Sequence, residues 1–157
     1  MEFYNKAKEI INMDITEFTG GVTDDIINSA MKTLGVVFPE SYKAFLSDFG
    51  SGDAGGEIIF GLEAGRKDIT EDYGEEDTWD VVKITQMEHN YKMPGCMVVI
   101  NYCSSNNSLY CLDTSKMKNG ECPVVKVPGD YKNIETEAES FGMFFYNYVT
   151  CCLDDEY

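Results

Sequence analysis

The stretch LGVVFPESYKAFLSDFGSGDAGG, from Leu34 to Gly56, gives the clearest indication of the fold. Pro39 suits the first position of a helix, because the N–H that proline lacks would have no partner there. Gly50 tolerates the left-handed conformation in which helices commonly end. The pattern therefore predicts a helix from about Pro39 to Phe49, packed on an antiparallel sheet by apolar side chains that recur on one helix face: Tyr42, Phe45 and Leu46.

The five glycines between Gly50 and Gly61 raise the question of a phosphate-binding loop. Such a loop runs from a strand into a helix, so that N–H groups at the helix N-terminus meet the anion. Here the helix precedes the glycines, the strand-like residues 57–63 follow them, and no Gly-Lys-Ser/Thr is present. Asp53 would also repel phosphate. We therefore interpret the glycines as positions where the backbone turns, without chemistry.

The rest of the chain predicts helices, then strands, then a closing helix. One helix is expected near the start, and Thr23, followed by two aspartates, is typical of the N-terminus of a second helix that Gly35 ends. Residues 78–91 predict a further helix, and three strands follow at 96–103, at 108–114 and after the Asn-Gly turn at 119–120, before a helix at 136–153. This order favours the α+β class, with residues 1–157 as a single domain whose largely antiparallel sheet has helices packed around it.

The charge is strongly negative: 28 acidic residues oppose 12 basic ones, for a net charge of −16. Such a field repels nucleic acid and anionic membranes, and it speeds encounter with basic partners. Arg66 is the only arginine in the sequence, whereas phosphate and carboxylate sites favour arginine. The acids are densest between Lys67 and Asp80, where seven acids accompany one base. Such a run is either a solvated face or a binding patch for a basic protein surface.

The sequence predicts a cytoplasmic protein with reduced thiols. Its start carries charges throughout and resembles no secretory signal, and the apolar residues 141–153 are too few to cross a membrane. The six cysteines form no C-x-x-C motif, so we expect no structural disulfide. Packing is the expected role of the adjacent Cys151 and Cys152, and a redox role for this pair stays open.

No set of residues in the sequence predicts catalysis. His89 is the only histidine, and a catalytic Cys–His pair needs spatial contact and a third orienting group. We interpret His89 as a surface residue on a helix. No Cys/His spacing matches a zinc site, so we expect no catalytic residue, no metal and no cofactor.

The stretch at residues 34–56 resembles the signature of the SUKH superfamily, the Smi/Knr-like domains. LYCLDTSKMKNGECPVV, followed by a closing helix with SFGMFFYN, is similar to the YobK-type bacterial branch. The resemblance covers roughly residues 23–150. It implies an α+β fold, and we expect a structural role for most of the positions that match the signature: Leu34, Pro39, Tyr42, Phe45, Leu46, Gly50, Gly56, Tyr110, Leu112 and Asp113.

The resemblance implies a binding protein. Bacterial members are largely immunity proteins that neutralise a cognate polymorphic toxin, often a nuclease, and the family has no catalytic residues to carry over. The expected partner is a toxin with a basic surface, bound by a monomer or homodimer, and a general interaction or regulatory module is the alternative. An enzyme ranks below both. From the charge we expect these residues to contribute to the contact: Asp72, Glu75, Glu76, Asp77 and Asp80. Their aromatic neighbours Tyr73 and Trp79 are candidate anchors of the contact, and a place in the core is the alternative for Trp79.

Overall fold

The computed structural model describes residues 1–66 and 79–154, which form five α-helices and six strands. The helices are α1 (Glu2–Ile10), α2 (Asp24–Leu34), α3 (Glu40–Asp48), α4 (Val81–His89) and α5 (Phe141–Asp154). The strands are β1 (Glu17–Phe18), β2 (Gly52–Asp53), β3 (Met97–Cys103), β4 (Ser108–Asp113), β5 (Val124–Pro128) and β6 (Glu135–Ala138). No helix within the described ranges is long and apolar enough to cross a membrane.

The main sheet has the order β3-β4-β5-β6, and every neighbouring pair is antiparallel. Strands β1 and β2 pair separately as a short antiparallel ribbon. The predicted Asn-Gly turn precedes β5: Asn119 and Gly120 have φ angles of 52° and 78°, and Lys118 and Glu121 exchange backbone hydrogen bonds across it. The predicted α+β class with an antiparallel sheet is confirmed.

Helix α3 buries the face that its sequence predicts. Tyr42, Phe45 and Leu46 are fully buried in the larger core, which also holds side chains from one face of the main sheet. The closest ring partners of this face are on α5, where the Phe141 ring centroid lies 5.0 Å from that of Tyr42 and 5.5 Å from that of Phe45. The helix begins one residue after Pro39, which serves as its N-cap.

The two faces of the main sheet belong to two cores. Alternate residues face the helices of the larger core, as Val98, Ile100 and Leu112 do. The residues between them, such as Val99 and Cys111, face a smaller core on the opposite side. The alternation is that of a sheet buried on both faces, and a bulge between Val99 and Asn101 interrupts it in β3.

The two edges of the main sheet differ. On the outer side of β3, Val99 N–H donates to Thr85 Oγ1 of α4 at 3.0 Å, and Phe60 N–H donates to the Ile100 carbonyl at 2.8 Å. The outer side of β6 pairs with no strand among the described residues. Its Glu135 and Glu137 are exposed, so charged side chains border this open edge.

Two predicted elements differ from the structure. The predicted helix from residue 136 is a strand up to Ala138, and α5 begins only at Phe141, where the Ser140 hydroxyl accepts a hydrogen bond from Met143 N–H. Residues 57–63, predicted as a strand, form only isolated bridges, at Ile59 and Gly61. In both places the structure of a short segment depends on the distant part of the chain with which it pairs. A local sequence pattern carries no information about that pairing.

The glycines after α3 allow two backbone segments to meet. Gly50 has a φ of 77° and its carbonyl accepts a hydrogen bond from Leu62 N–H at 3.1 Å. A Cβ at Gly50 would lie 2.1 Å from the Gly20 carbonyl oxygen, and one at Gly61 would lie 1.8 Å from that of Gly50. Glycine is therefore required here by close packing of the backbone.

Candidate partner-binding surface

Most of the predicted contact residues lie outside the described residues. Asp72, Tyr73, Glu75, Glu76 and Asp77 fall within residues 67–78, which we call the acidic segment. The structure describes the residues on either side of this segment, up to Arg66 and from Trp79 onward.

The residues that flank the acidic segment are joined by hydrogen bonds. Gly61 N–H donates to the Trp79 carbonyl at 2.9 Å, and Val81 N–H donates to the Gly61 carbonyl at 2.8 Å. Gly61 and Asp80 thus form a parallel bridge. Gly61 and residues 79–81 therefore lie side by side at the N-terminus of α4.

Arg66 and Asp80 form an ion pair under this bridge. Arg66 Nε lies 2.7 Å from Asp80 Oδ2, and Nη2 lies 3.3 Å from Oδ1. Each side chain is only 10% exposed. A two-point contact of this kind fixes both side chains in orientation, so the only arginine in the sequence is tied to the residue that precedes α4.

Asp80 also caps α4. Its Oδ1 accepts hydrogen bonds from Val82 N–H and Lys83 N–H, both at 3.0 Å. The sequence analysis placed Asp80 among residues that meet a partner, and the structure turns its carboxylate inward. An aspartate directly before an apolar run is a recognised N-cap pattern, and that pattern in the sequence could have indicated this role.

Large side chains are exposed on α4 and just after its end. Met87 and Tyr91 are exposed, at 46% and 71%. A groove of about 440 Å³ lies between α4 and the outer face of the main sheet. We call it the α4 groove, and these residues line it: Phe60, Ile84, Glu88, Tyr102, Leu109 and Tyr131.

Glu88 introduces a carboxylate into this groove, whose lining is part apolar and part polar. Tyr131 Oη donates a hydrogen bond to Glu88 Oε2 at 2.6 Å. That hydrogen bond, together with burial, raises the pKa of Tyr131 to about 12, so its phenol stays protonated at neutral pH. The two residues are 43 positions apart in the sequence, and the sequence analysis identified neither of them.

His89 is half-buried at the C-terminal end of α4. Its Nε2 lies 2.8 Å from the Met97 carbonyl oxygen, a hydrogen-bond distance. This contact ties the C-terminal end of α4 to the start of β3. His89 therefore serves to attach the helix to the sheet edge.

The residues that match the family signature divide into two groups. Most are buried: Pro39, Tyr42, Phe45, Leu46, Gly50, Leu112 and Asp113, with Leu34 half-buried. Asp113 accepts a hydrogen bond from Ser115 N–H at 3.2 Å and so caps a short 3-10 turn. Gly56 is exposed and Tyr110 is half-buried, and both line a second cavity on the other face of the sheet.

The cysteines are present as six free thiols. Burial raises the pKa of the Cys111 thiol, and it raises that of Cys122 to about 12. Within residues 1–66 and 79–154, no group of three or more His, Cys, Asp or Glu side chains could hold a metal ion.

One comparison with known proteins covers nearly the whole chain. The SUKH_5 family model, described as SMI1-KNR4 cell-wall, matches residues 2–150. The matched range contains α3 with the glycines after it, and also the segment from β4 to most of α5. These are the two regions from which the sequence analysis drew its resemblance.

Proposed function

We propose that this chain, which belongs to the SMI1-KNR4 family of the SUKH superfamily, is an immunity protein that binds the basic surface of a toxin and blocks the toxin by occlusion. In this proposal it acts in the cytoplasm as a monomer or homodimer, without a catalytic residue or cofactor. The observation that carries the proposal is the concentration of seven acids against one base between Lys67 and Asp80 in a chain of net charge −16.

The charge suits a toxin that acts on nucleic acid. A nuclease is basic where it contacts phosphates. An inhibitor with an acidic surface is steered onto such a site and reaches it quickly. In the sequence the acidic segment follows Arg66 and precedes Trp79, whose carbonyl accepts a hydrogen bond from Gly61 N–H. The α4 groove offers further contact area, which includes the carboxylate of Glu88.

The biological test is rescue of growth. We expect a toxin-like protein to be encoded next to this chain, and we expect co-expression of this chain to restore growth of cells that the toxin alone arrests. Binding without rescue would contradict the immunity function and favour the alternative, a general interaction or regulatory module of the same fold.

The interface test is a charge reversal. Changing Glu75, Glu76 and Asp77 to Lys should slow association with the toxin at least about tenfold at low salt and weaken its salt dependence, because exposed charges act mainly on the association rate. Folding should be unaffected, as checked by circular dichroism.

A matched variant separates local from global charge. Changing Glu9, Asp14 and Glu17 to Lys alters the net charge equally, at exposed positions in α1, β1 and their connection. Stopped-flow association rates across a salt series should place this control near the wild type. Equal slowing in both variants would mean that net charge alone attracts the toxin, and no slowing in either would place the interface elsewhere.

A further inference from the structure

A second cavity, of about 370 Å³, lies on the face of the main sheet opposite the α4 groove. It is bounded by the sheet, the C-terminal half of α5 and the loop after β2. We call it the α5 cavity. Six of its lining residues carry the argument that follows: Asn101, Tyr110, Phe144, Tyr148, Glu57 and Glu137.

The bulge in β3 turns Asn101 toward this cavity. Val99 faces the smaller core, and regular alternation would place Asn101 on that same side. Because the register shifts between the two residues, Asn101 instead lies opposite Tyr110 of β4, on the helix side of the sheet. Bulges commonly re-aim a side chain next to a functional site.

Asn101 brings an acceptor to the cavity. The residue is 4% exposed, and its Nδ2 donates to the Ile58 carbonyl at 2.7 Å. Its Oδ1 has no hydrogen-bond partner among residues 1–66 and 79–154. Every fully buried side-chain N or O atom of the described residues has a partner, so this oxygen is accessible from the cavity that Asn101 lines, where a donor can meet it.

Aromatic rings and carboxylates complete the lining. The Tyr110 and Phe144 ring centroids are 5.5 Å apart, and Tyr148 is held in place because its Oη accepts a hydrogen bond from Ala54 N–H. Glu57 accepts a hydrogen bond from Ser104 Oγ at 3.1 Å, and Glu137 is exposed on β6. Lys126 is the cross-strand neighbour of Tyr110, but it does not line the cavity.

A guanidinium group matches this set of groups. It is planar, donates five N–H groups, accepts none, stacks on aromatic faces and pairs with carboxylates. An anion would meet two carboxylates here, and a neutral apolar group would leave Asn101 Oδ1 without a donor. We propose that the α5 cavity binds an arginine side chain of a partner protein. This inference does not depend on the acidic segment being the toxin-binding surface.

The experiment titrates the protein with Nα-acetyl-arginine amide and follows the side-chain amide signals of Asn101 and Asn147, both in the cavity lining, by NMR. Nα-acetyl-citrulline amide, which has nearly the same shape but no charge, is the comparison ligand. We expect saturable shifts with the arginine amide, and about tenfold weaker binding of the citrulline amide, which corresponds to about 1.4 kcal/mol.

Two variants locate the site. Glu57→Gln combined with Glu137→Gln should weaken binding of the arginine amide about fivefold, within the range for two exposed carboxylates. Glu135→Gln should leave it unchanged, because Glu135 is an exposed glutamate of the same strand that does not line the cavity. Equal binding of the two amides, equal weakening by Glu135→Gln, or no saturable shift up to the solubility limit would each overturn the proposal.

Discussion

Gly50 shows at the scale of one residue why backbone shape, and not side-chain chemistry, selects an amino acid. Its φ of 77° already favours glycine, and carbonyl oxygens of Gly20 and Leu62 occupy the space that a Cβ would need. Gly35 has a similar φ of 68° with nothing within 4 Å of a Cβ. Comparing Gly35 with Gly50 therefore distinguishes the effect of backbone conformation from the effect of close packing.

We therefore predict different costs for alanine at these two glycines. Gly35→Ala should lower the free energy of unfolding by about 1 kcal/mol, the cost of a left-handed alanine. Gly50→Ala should lower it by more than about 3 kcal/mol, because a fixed backbone oxygen lies 2.1 Å from the new Cβ. Urea denaturation measures both, and equal losses would show that the backbone segments can move apart.

The thiols give a second prediction for single residues. Protein unfolded without reductant should show six reactive thiols, because all six cysteines are free. In native protein at pH 8, Cys151 should react with a maleimide fastest, because it is the exposed one, while buried Cys111 and Cys122 should stay unmodified. Site-resolved mass spectrometry gives the order, and a count below six after unfolding would reveal a disulfide.

Single residues also mark where sequence analysis succeeds and fails. Tyr42, Phe45 and Leu46 could be assigned to the core because their spacing is local information. His89 and Asn101 could not be understood in this way, since both depend on the edge and register of β3. Register is fixed by strand pairing, which joins residues distant in the sequence.

At the scale of elements, α4 depends on one residue before its start. Asp80 caps the helix and also forms the ion pair with Arg66. Each of the two side chains is only 10% exposed. Thr23 occupies the same position before α2 but makes no side-chain cap hydrogen bond. The stability of α4 should therefore depend on its N-cap residue more than the stability of α2 does.

This difference predicts unequal effects of substitutions at the two caps. Asp80→Ala should lower the free energy of unfolding by about 3–5 kcal/mol, because it removes a cap and leaves a largely buried arginine without this carboxylate. Asp80→Asn should lose less, since it keeps an acceptor for Val82 N–H. Thr23→Ala should stay within about half a kcal/mol of the wild type. Denaturant titration distinguishes these outcomes, and a small loss for Asp80→Ala would contradict the role assigned to the pair.

The elements themselves were predicted unevenly. α3 and β3 to β5 could be located because their apolar patterns are long. β6 was missed because three of its four residues, Glu135, Thr136 and Glu137, are polar and exposed. The α4 groove and the α5 cavity could not be predicted, since each forms only where a helix meets the sheet. Of the predicted contact residues, the structure describes Trp79 and Asp80, and Asp80 is the cap of α4.

At the scale of the whole molecule, the net charge of −16 should oppose folding through repulsion. Acids outnumber bases by more than two to one, so most carboxylates have no basic partner available. Folding brings these like charges closer together, and salt screens them.

We therefore predict that sodium chloride stabilises this protein. Raising the salt from about 0.01 M to about 0.1 M shortens the Debye length from about 30 Å to about 10 Å. The free energy of unfolding should rise over that range, as measured by urea denaturation at each salt concentration. A decrease would mean that attractive ion pairs, such as the one between Arg66 and Asp80, outweigh the repulsion.

The two edges of the main sheet also bear on self-association. An open strand edge can recruit a second copy and extend into a fibril. On β3, α4 and Phe60 occupy backbone hydrogen-bonding groups of the edge, so a second copy cannot pair with them. On β6 a second copy would bring another row of carboxylates against Glu135 and Glu137, and their repulsion opposes pairing. A variant that lacks both charges, Glu135→Gln with Glu137→Gln, would lose that protection, so its fibril growth would start from β6.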